Sequence, residues 1–339
     1  MARVRVAVIM GGRSSEHDIS VASARSVVDG LDAERYDVRA VEIGQDGRWQ
    51  LDPAGEQARI GRGGEALPVP ADGSSSPFEG VDVVFPVLHG PFGEDGTVQG
   101  FLELADVAYV GAGVTASALC MDKDLFKAVM RDKGVPVVRS VTVLDRNRDH
   151  VENPFGFPVV VKPARLGSSV GISIVKQPED LGAAIDLALE HDEKILLEEF
   201  ISGVEVECSV LGNEEPVASI PGEIVPLVSD WYDFAAKYDE GGMELVIPPR
   251  LDERTIARVQ ELAVAAFVAS DCEGMARVDC FVRDDGEVLV NELNTIPGFT
   301  ATSVYAKLFE ASGIPYAQLL DRLVELALER RDRRARLKY

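Results

Sequence analysis

Met275–Ser303, reading MARVDCFVRDDGEVLVNELNTIPGFTATS, constrains the fold more than any other stretch of the chain. Arg277–Val282 and Glu287–Leu293 alternate like half-buried strands, and Asp285-Gly286 between them is a strong signal for a two-residue hairpin turn. With those two residues as the turn, Asp279 faces Glu292 and Arg277 faces Asn294. Strand side chains repeat every second residue, so all four emerge on one face of the sheet. Carboxylates directly opposed repel each other unless a cation lies between them. With an amide oxygen beside them the donor set is all oxygen, which suits Mg²⁺ held by one or two carboxylates plus substrate phosphates. The plainer reading of the same residues is a solvated sheet face carrying a few charges.

At 339 residues the chain exceeds the size at which a single core keeps growing, so two or three domains are expected. An apolar content of 46% excludes disorder as the main state. The net charge of −23 argues against nucleic acid or an anionic membrane surface as partner. It leaves ATP open, because a phosphate site needs positive charge only locally. Cys120, Cys208, Cys272 and Cys280 show no CxxC spacing, so reduced, mostly buried thiols are expected. No apolar run approaches a membrane span, and Arg3-Val4-Arg5-Val6 leads into a strand, not a signal peptide. The expected location is the cytoplasm.

Along the chain, Val4–Met10 is a near-continuous apolar run, as in a strand buried within a parallel sheet. Gly11-Gly12 ends it, and Ser14-Ser15-Glu16-His17-Asp18 offers helix N-caps, so strand, glycine turn and helix start make a site for an anionic group. Glu16, taken alone, reads most simply as complementing the helix dipole. Further strands are expected at Val38–Ile43, Val81–Val87 and Val107–Val110, with a Gly/Pro/Ser-rich surface stretch at Gly55–Pro77 and a helix at Thr97–Leu104. His89-Gly90-Pro91-Phe92-Gly93-Glu94-Asp95-Gly96 falls at a strand's C-terminal edge, where open α/β sheets place ligands.

Ser117–Lys133 predicts one helix with Lys123 and Lys127 a turn apart, where a solvated lysine is the simplest reading of Lys123. Pro158–Pro163 is an apolar strand with Lys162 near its end, Gly167–Gly171 a hydroxyl-rich turn, and Val170–Val175 the returning strand. Successive backbone N–H groups in such a loop can cradle phosphates, with a lysine as point charge. A helix at Leu181–His191, a strand at Ile195–Ile201 and another through Leu211 follow. Pro221–Pro249 is irregular but holds Trp231, Tyr232, Phe234 and Tyr238, which favours a lid over disorder. Helices at Asp252–Ser270 and Tyr316–Arg334 complete the chain, the last with a basic end that complements the helix C-terminus.

GGRSSEHDIS, HGPFGEDGTVQG, MDK, VKPARLGSSVG, EEFISGVE, YDFAAKY and RVDCF…NELNTIPGFTATS occur in an order and spacing that resembles the D-alanine–D-alanine ligases of the ATP-grasp superfamily, from Val6 to about Leu328. The resemblance implies an α/β, three-domain ATP-grasp architecture. An N-terminal Rossmann-like parallel sheet domain (1–116) would bind substrate. Two α+β domains would enclose ATP, a central one (117–209) with the phosphate loop and a C-terminal one (210–339) with the metal site and a lid at 221–249. It implies ATP-dependent ligation of two D-alanines through an acyl phosphate, for peptidoglycan synthesis. Lys123, Lys162, Gly167, Ser168 and Ser169 would bind the ATP phosphates; Glu198, Ile201 and Glu205 would hold adenine and ribose, with Phe281 against the base. Asp279, Glu292 and Asn294 would bind two Mg²⁺, with Mn²⁺ as an alternative. Glu16, near His89, would take the ammonium of the first D-alanine, with Ser168 and Tyr238 linking to Glu16. Arg277 and the Gly298 N–H would stabilise the oxyanion, and Ser303 with Val304 would face the second substrate. Small-molecule substrates, a homodimer, and neither nucleic acid nor membrane are implied as partners. Ala306 departs from the proline many members carry after Ser-x-Tyr. A different ATP-grasp carboxylate–amine ligase, or one using D-lactate or D-serine, and a non-catalytic nucleotide-binding regulator are the alternatives. The regulator is disfavoured because Lys162, Arg277, Asp279 and Glu292 are all present.

Overall fold

The structure is a computed structural model, and it describes residues 2–51, 78–167, 170–227 and 242–338. The Gly55–Pro77 stretch, Ser168, Ser169 and the Trp231–Tyr238 segment lie essentially outside those residues. The first unit comprises β1 (Val4–Gly11), α1 (His17–Gly30), β2 (Tyr36–Ile43), β3 (Trp49–Leu51), β4 (Val83–Pro86), α2 (Thr97–Leu104) and β5 (Ala108–Tyr109). Its sheet runs β3-β2-β1-β4-β5, parallel throughout except for β3. The unbroken apolar run of β1 follows from cover on both faces. Val6 and Val8 pack with Ala24 and Val27 of α1, whereas Ala7 and Ile9 pack with Val98 and Leu102 of α2.

The single helix expected at 117–133 is two, α3 (Val114–Met121) and α4 (Lys123–Asp132). Asp122 takes an extended conformation between them, and its side chain accepts the Leu125 N–H as an N-cap. Both helices pack on the six-stranded sheet described below. A four-stranded antiparallel sheet comes next, built from β6 (Ser140–Leu144), β7 (Val159–Pro163), β8 (Ser173–Val175) and β9 (Lys194–Glu199), with α5 (Leu181–Leu189) against it. Its order is β6-β9-β7-β8. The return strand starts three residues later than expected, at Ser173.

The remaining elements are β10 (Gly203–Gly212), β11 (Val217–Ala218), β12 (Gly222–Pro226), β13 (Met243–Val246), α6 (Glu253–Ala269), β14 (Gly274–Arg283), β15 (Val288–Asn294), α7 (Val304–Ala311) and α8 (Tyr316–Arg334). The sheet order is β13-β12-β10-β14-β15, with β11 beside β10. The boundary expected between residues 209 and 210 falls inside β10, all of which pairs with β14. The flanks of the expected irregular segment 221–249 are the paired strands β12 and β13.

α7 was not expected, although Val304, Tyr305, Ala306, Leu308 and Phe309 bury one face of it. α8 crosses back to the first unit, where Leu319, Leu320, Leu323 and Val324 join Val6, Val8 and Val27 in one core. Arg330 is not a solvated helix-end cation. It is 3% exposed, donates to the carbonyls of Tyr109 and Gly111, and lies over the Tyr109 ring at 4.2 Å. Among the described residues no helix is long and apolar enough to cross a membrane.

Candidate active site

Asp279 pairs with Glu292 and Arg277 with Asn294, as expected, but two irregularities combine to give that register. The turn is not two residues. Arg283 and Glu287 form the last pair, with Gly286 at φ +85° closing a three-residue loop. That displaces the register by one residue, and a bulge at Asn291 restores it, because Cys280 pairs with Val290 while Asp279 pairs with Glu292. The bulge also turns Asn291 and Glu292 together into the cleft.

Across this face β10 adds a third carboxylate, since Glu207 pairs with Asp279. The opposed acids are compensated by side chains, not left to repel. Arg277 donates Nε and Nη2 to the two Asp279 oxygens at 2.7 Å each, and its Nε stands 3.0 Å from Glu207 Oε2. Lys123 Nζ stands 3.3 Å from Glu292 Oε2 and donates to the Leu166 carbonyl at 2.8 Å. Asn294 Oδ1 accepts the Ile296 N–H at 3.2 Å. Among the described residues no three His, Cys, Asp or Glu are grouped to hold a metal. Asp279, Glu292 and Asn294 nonetheless supply two carboxylates and an amide oxygen on one face, a set that fits Mg²⁺ if phosphate oxygens complete its shell.

Between the four-stranded and six-stranded sheets lies a cleft of about 470 Å³. Lys123, Lys162, Gly167, Glu198, Ile201, Glu205 and Phe281, expected to bind ATP, line it together with Glu292, expected to hold metal. Glu198 is 3% exposed and does not present a free carboxylate: its oxygens face Lys127 Nζ at 3.1 Å and Lys162 Nζ at 2.7 Å. Burial pushes its carboxyl up, but the two ammoniums outweigh that and hold it below the usual range.

The other expected residues gather where the first unit meets the segment after β15. His89 Nδ1 lies 2.9 Å from the Ile296 carbonyl, so Nδ1 carries the hydrogen and Nε2 presents a lone pair. Burial pushes the His89 imidazolium down, against the pull of Glu16. Glu94 accepts the Gly90 N–H at 2.6 Å and the Ile296 N–H at 3.2 Å, so His89 and Glu94 grip both polar groups of the Ile296 backbone. Glu16 is buried, and a Cβ at Gly90 would stand 2.7 Å from its Oε2. Ser303 accepts the Thr300 N–H at 3.0 Å, and its Oγ is 3.3 Å from where a Cβ on Gly298 would lie. Val304 is buried behind it. Ser168, Ser169 and Tyr238 lie outside the described residues. Lys127, Glu94, Glu207 and Asn291 were missed as site residues. The alternation of Glu205 and Glu207, and Lys127 on the apolar stripe of Phe126 and Met130, were the available signals.

Residues 5–112 match the family model described as D-ala D-ala ligase N-terminus, and residues 129–325 match D-ala D-ala ligase C-terminus. The chain belongs to the D-alanine–D-alanine ligase family. It is 47% identical to the D-alanine–D-alanine ligase of Solibacter usitatus, over 97% of this chain and 96% of that one. It is 42% identical to D-alanine–D-alanine ligase A of Escherichia coli K12, over 97% of each chain. The solved D-alanine–D-alanine ligase from Coxiella burnetii superposes with a TM-score of 0.83 at 36% identity, covering 99% of this chain and 97% of that one. The VanG D-Ala:D-Ser ligase from Enterococcus faecalis gives 0.84 at 35%, covering 96% and 100%. The three-domain ATP-grasp architecture and an ATP-dependent carboxylate–amine ligase are therefore established for this member of the family.

Proposed function

We propose that this member of the family joins two D-alanines to D-alanyl-D-alanine for peptidoglycan precursor synthesis, ATP first converting the carboxylate of one into an acyl phosphate. The observation that carries the reading is that Lys123 and Lys162 line one cleft with Glu292, which pairs with Asp279 on the neighbouring strand. Phosphoryl transfer needs little from a protein beyond positioning and charge neutralisation, which lysines at these places supply. Asp279, Glu292 and Asn294 would hold Mg²⁺ or Mn²⁺, whose chemistry is to neutralise charge on the phosphates. Glu198, Ile201 and Glu205 would hold adenine and ribose, with Phe281 against the base. Gly167, with Ser168 and Ser169, would close over the phosphates.

Glu16 would take the first D-alanine's ammonium, with the His89 Nε2 lone pair as a second acceptor nearby. Arg277 and the Gly298 N–H would stabilise the oxyanion formed when the second amine attacks, a contribution typically worth about 3–4 kcal/mol per donor. Ser303 would bind the second carboxylate beside Val304. A tyrosine side chain is never cationic, so Tyr238 would place no positive charge to repel an incoming ammonium. That favours the amide over an ester with D-lactate. A homodimer acting in the cytoplasm on small molecules, without nucleic acid or membrane, completes the reading.

The decisive measurement is phosphate release from ATP with D-alanine, against L-alanine and no amino acid, with the product identified by mass. D-Serine and D-lactate compete with D-alanine in a second arm. D-Alanine-dependent release with D-alanyl-D-alanine as dominant product is expected. Release without D-alanine dependence, or a dominant mixed product, overturns the proposal.

A further inference from the structure

Lys127 does not line the nucleotide cleft. Its side chain is 0% exposed on the face of α4 that carries Phe126 and Met130. Its ion-pair partner among the described residues is Glu198, which lines the cleft: Glu198 Oε1 is 3.1 Å from Lys127 Nζ and Oε2 is 2.7 Å from Lys162 Nζ. Lys162 Nζ also donates to Asn291 Oδ1, on the β15 bulge, at 3.3 Å. One buried carboxylate thus faces two buried ammoniums, an arrangement whose desolvation cost calls for a compensating return.

Charge counting supplies that return. Two ammoniums and one carboxylate leave a net positive charge at Lys162, where an anion completes the balance. Without Lys127, Lys162 and Glu198 would form a neutral closed pair, and Coulomb attraction to a phosphate would fall. Dividing the two carboxylate oxygens between the lysines also stops Glu198 from taking Lys162 bidentately out of the cleft. We propose that Lys127 is a positioning residue for phosphate binding, acting through Glu198 to keep the Lys162 ammonium available to ATP. The inference rests on the reading of the cleft as the ATP site.

The test is calorimetric titration of the full chain with adenosine, ADP and ATP, for the unaltered protein and for Lys127→Met. ADP and ATP are expected to weaken about tenfold or more, the size seen when an outer partner that orients a ligand is lost. Adenosine, which carries no phosphate, should change less than about twofold. Adding Glu198→Gln to Lys127→Met frees the Lys162 charge and should restore most of the ADP affinity, which a purely packing role for Lys127 would not produce. Should Lys127→Met fail to fold, Lys127→Gln keeps a donor to Glu198 without the charge and is expected to show the same selective loss. Unchanged ADP affinity, equal loss of ADP and adenosine, or no restoration by Glu198→Gln overturns the inference. Failure of the unaltered protein to bind ADP would instead remove the ATP reading itself.

Discussion

Glu94 sits between two backbone N–H donors and the Glu16 carboxylate, and the competition sets its titration. Burial first, then Glu16, push its carboxyl up to about 8, against the hydrogen bonds from Gly90 and Ile296. A carboxyl with a folded pKa above its unfolded value holds its proton more tightly when folded. Its stabilisation is therefore full below about 4.5 and is lost as pH rises toward about 8. Glu94→Gln does not titrate, so the fall in Tm between about pH 5 and about pH 8 should be shallower than in the unaltered protein. A constant Tm difference between the two across that window would refute the assignment. Glu292→Gln should raise the Mg²⁺ needed for half-maximal turnover about tenfold or more. Because Glu292 faces the buried Lys123 ammonium, neutralising it weakens a partner of that charge, and stability should fall by about 1–3 kcal/mol. Turnover at limiting Mg²⁺ and urea unfolding check the two halves separately.

At the scale of elements, residue spacing was enough to place the chemistry, but not the backbone irregularities beneath it. Asp279 opposite Glu292 was legible because period-two alternation is strong in both strands. The three-residue turn and the Asn291 bulge were not, since each cancels the other's effect on the pairing that alternation reports. α3 and α4 read as one helix because their apolar positions continue through Asp122; only the cap geometry shows the break. α7 lies just past the Met275–Ser303 stretch, where no element was expected before the helix at Tyr316. Lys127 was missed because a lysine on a helix is usually solvated, and its burial depends on β9 placing Glu198 opposite it. The break between α3 and α4 sets where Lys123 starts its helix. Asp122→Ala removes both the cap to Leu125 and the carboxylate 2.5 Å from Lys194 Nζ. Stability should fall by about 1–3 kcal/mol in urea unfolding, with a rise in the KM for ATP. An unchanged urea midpoint would show the cap to be dispensable.

On the scale of the molecule, the loop at 89–96 and the segment after β15 are joined by His89 and Glu94 gripping Ile296, and the first and last elements by α8. The buried Arg330 fastens that second junction by donating to the Tyr109 and Gly111 carbonyls. Arg330→Met should cost about 2–5 kcal/mol in urea unfolding, leaving two buried acceptors unmet. A loss below about 0.5 kcal/mol would mean that water takes its place. The packing of α8 against β1 also imposes an order in time. Val6 and Val8 leave a ribosome long before Leu319, Leu320 and Leu323, which cover them. The sheet of β1 must wait until α8 has been made, with that face only partly shielded by α1. Nascent chains of this protein should thus be most dependent on chaperones before α8 emerges, and their protection from protease should rise late and abruptly.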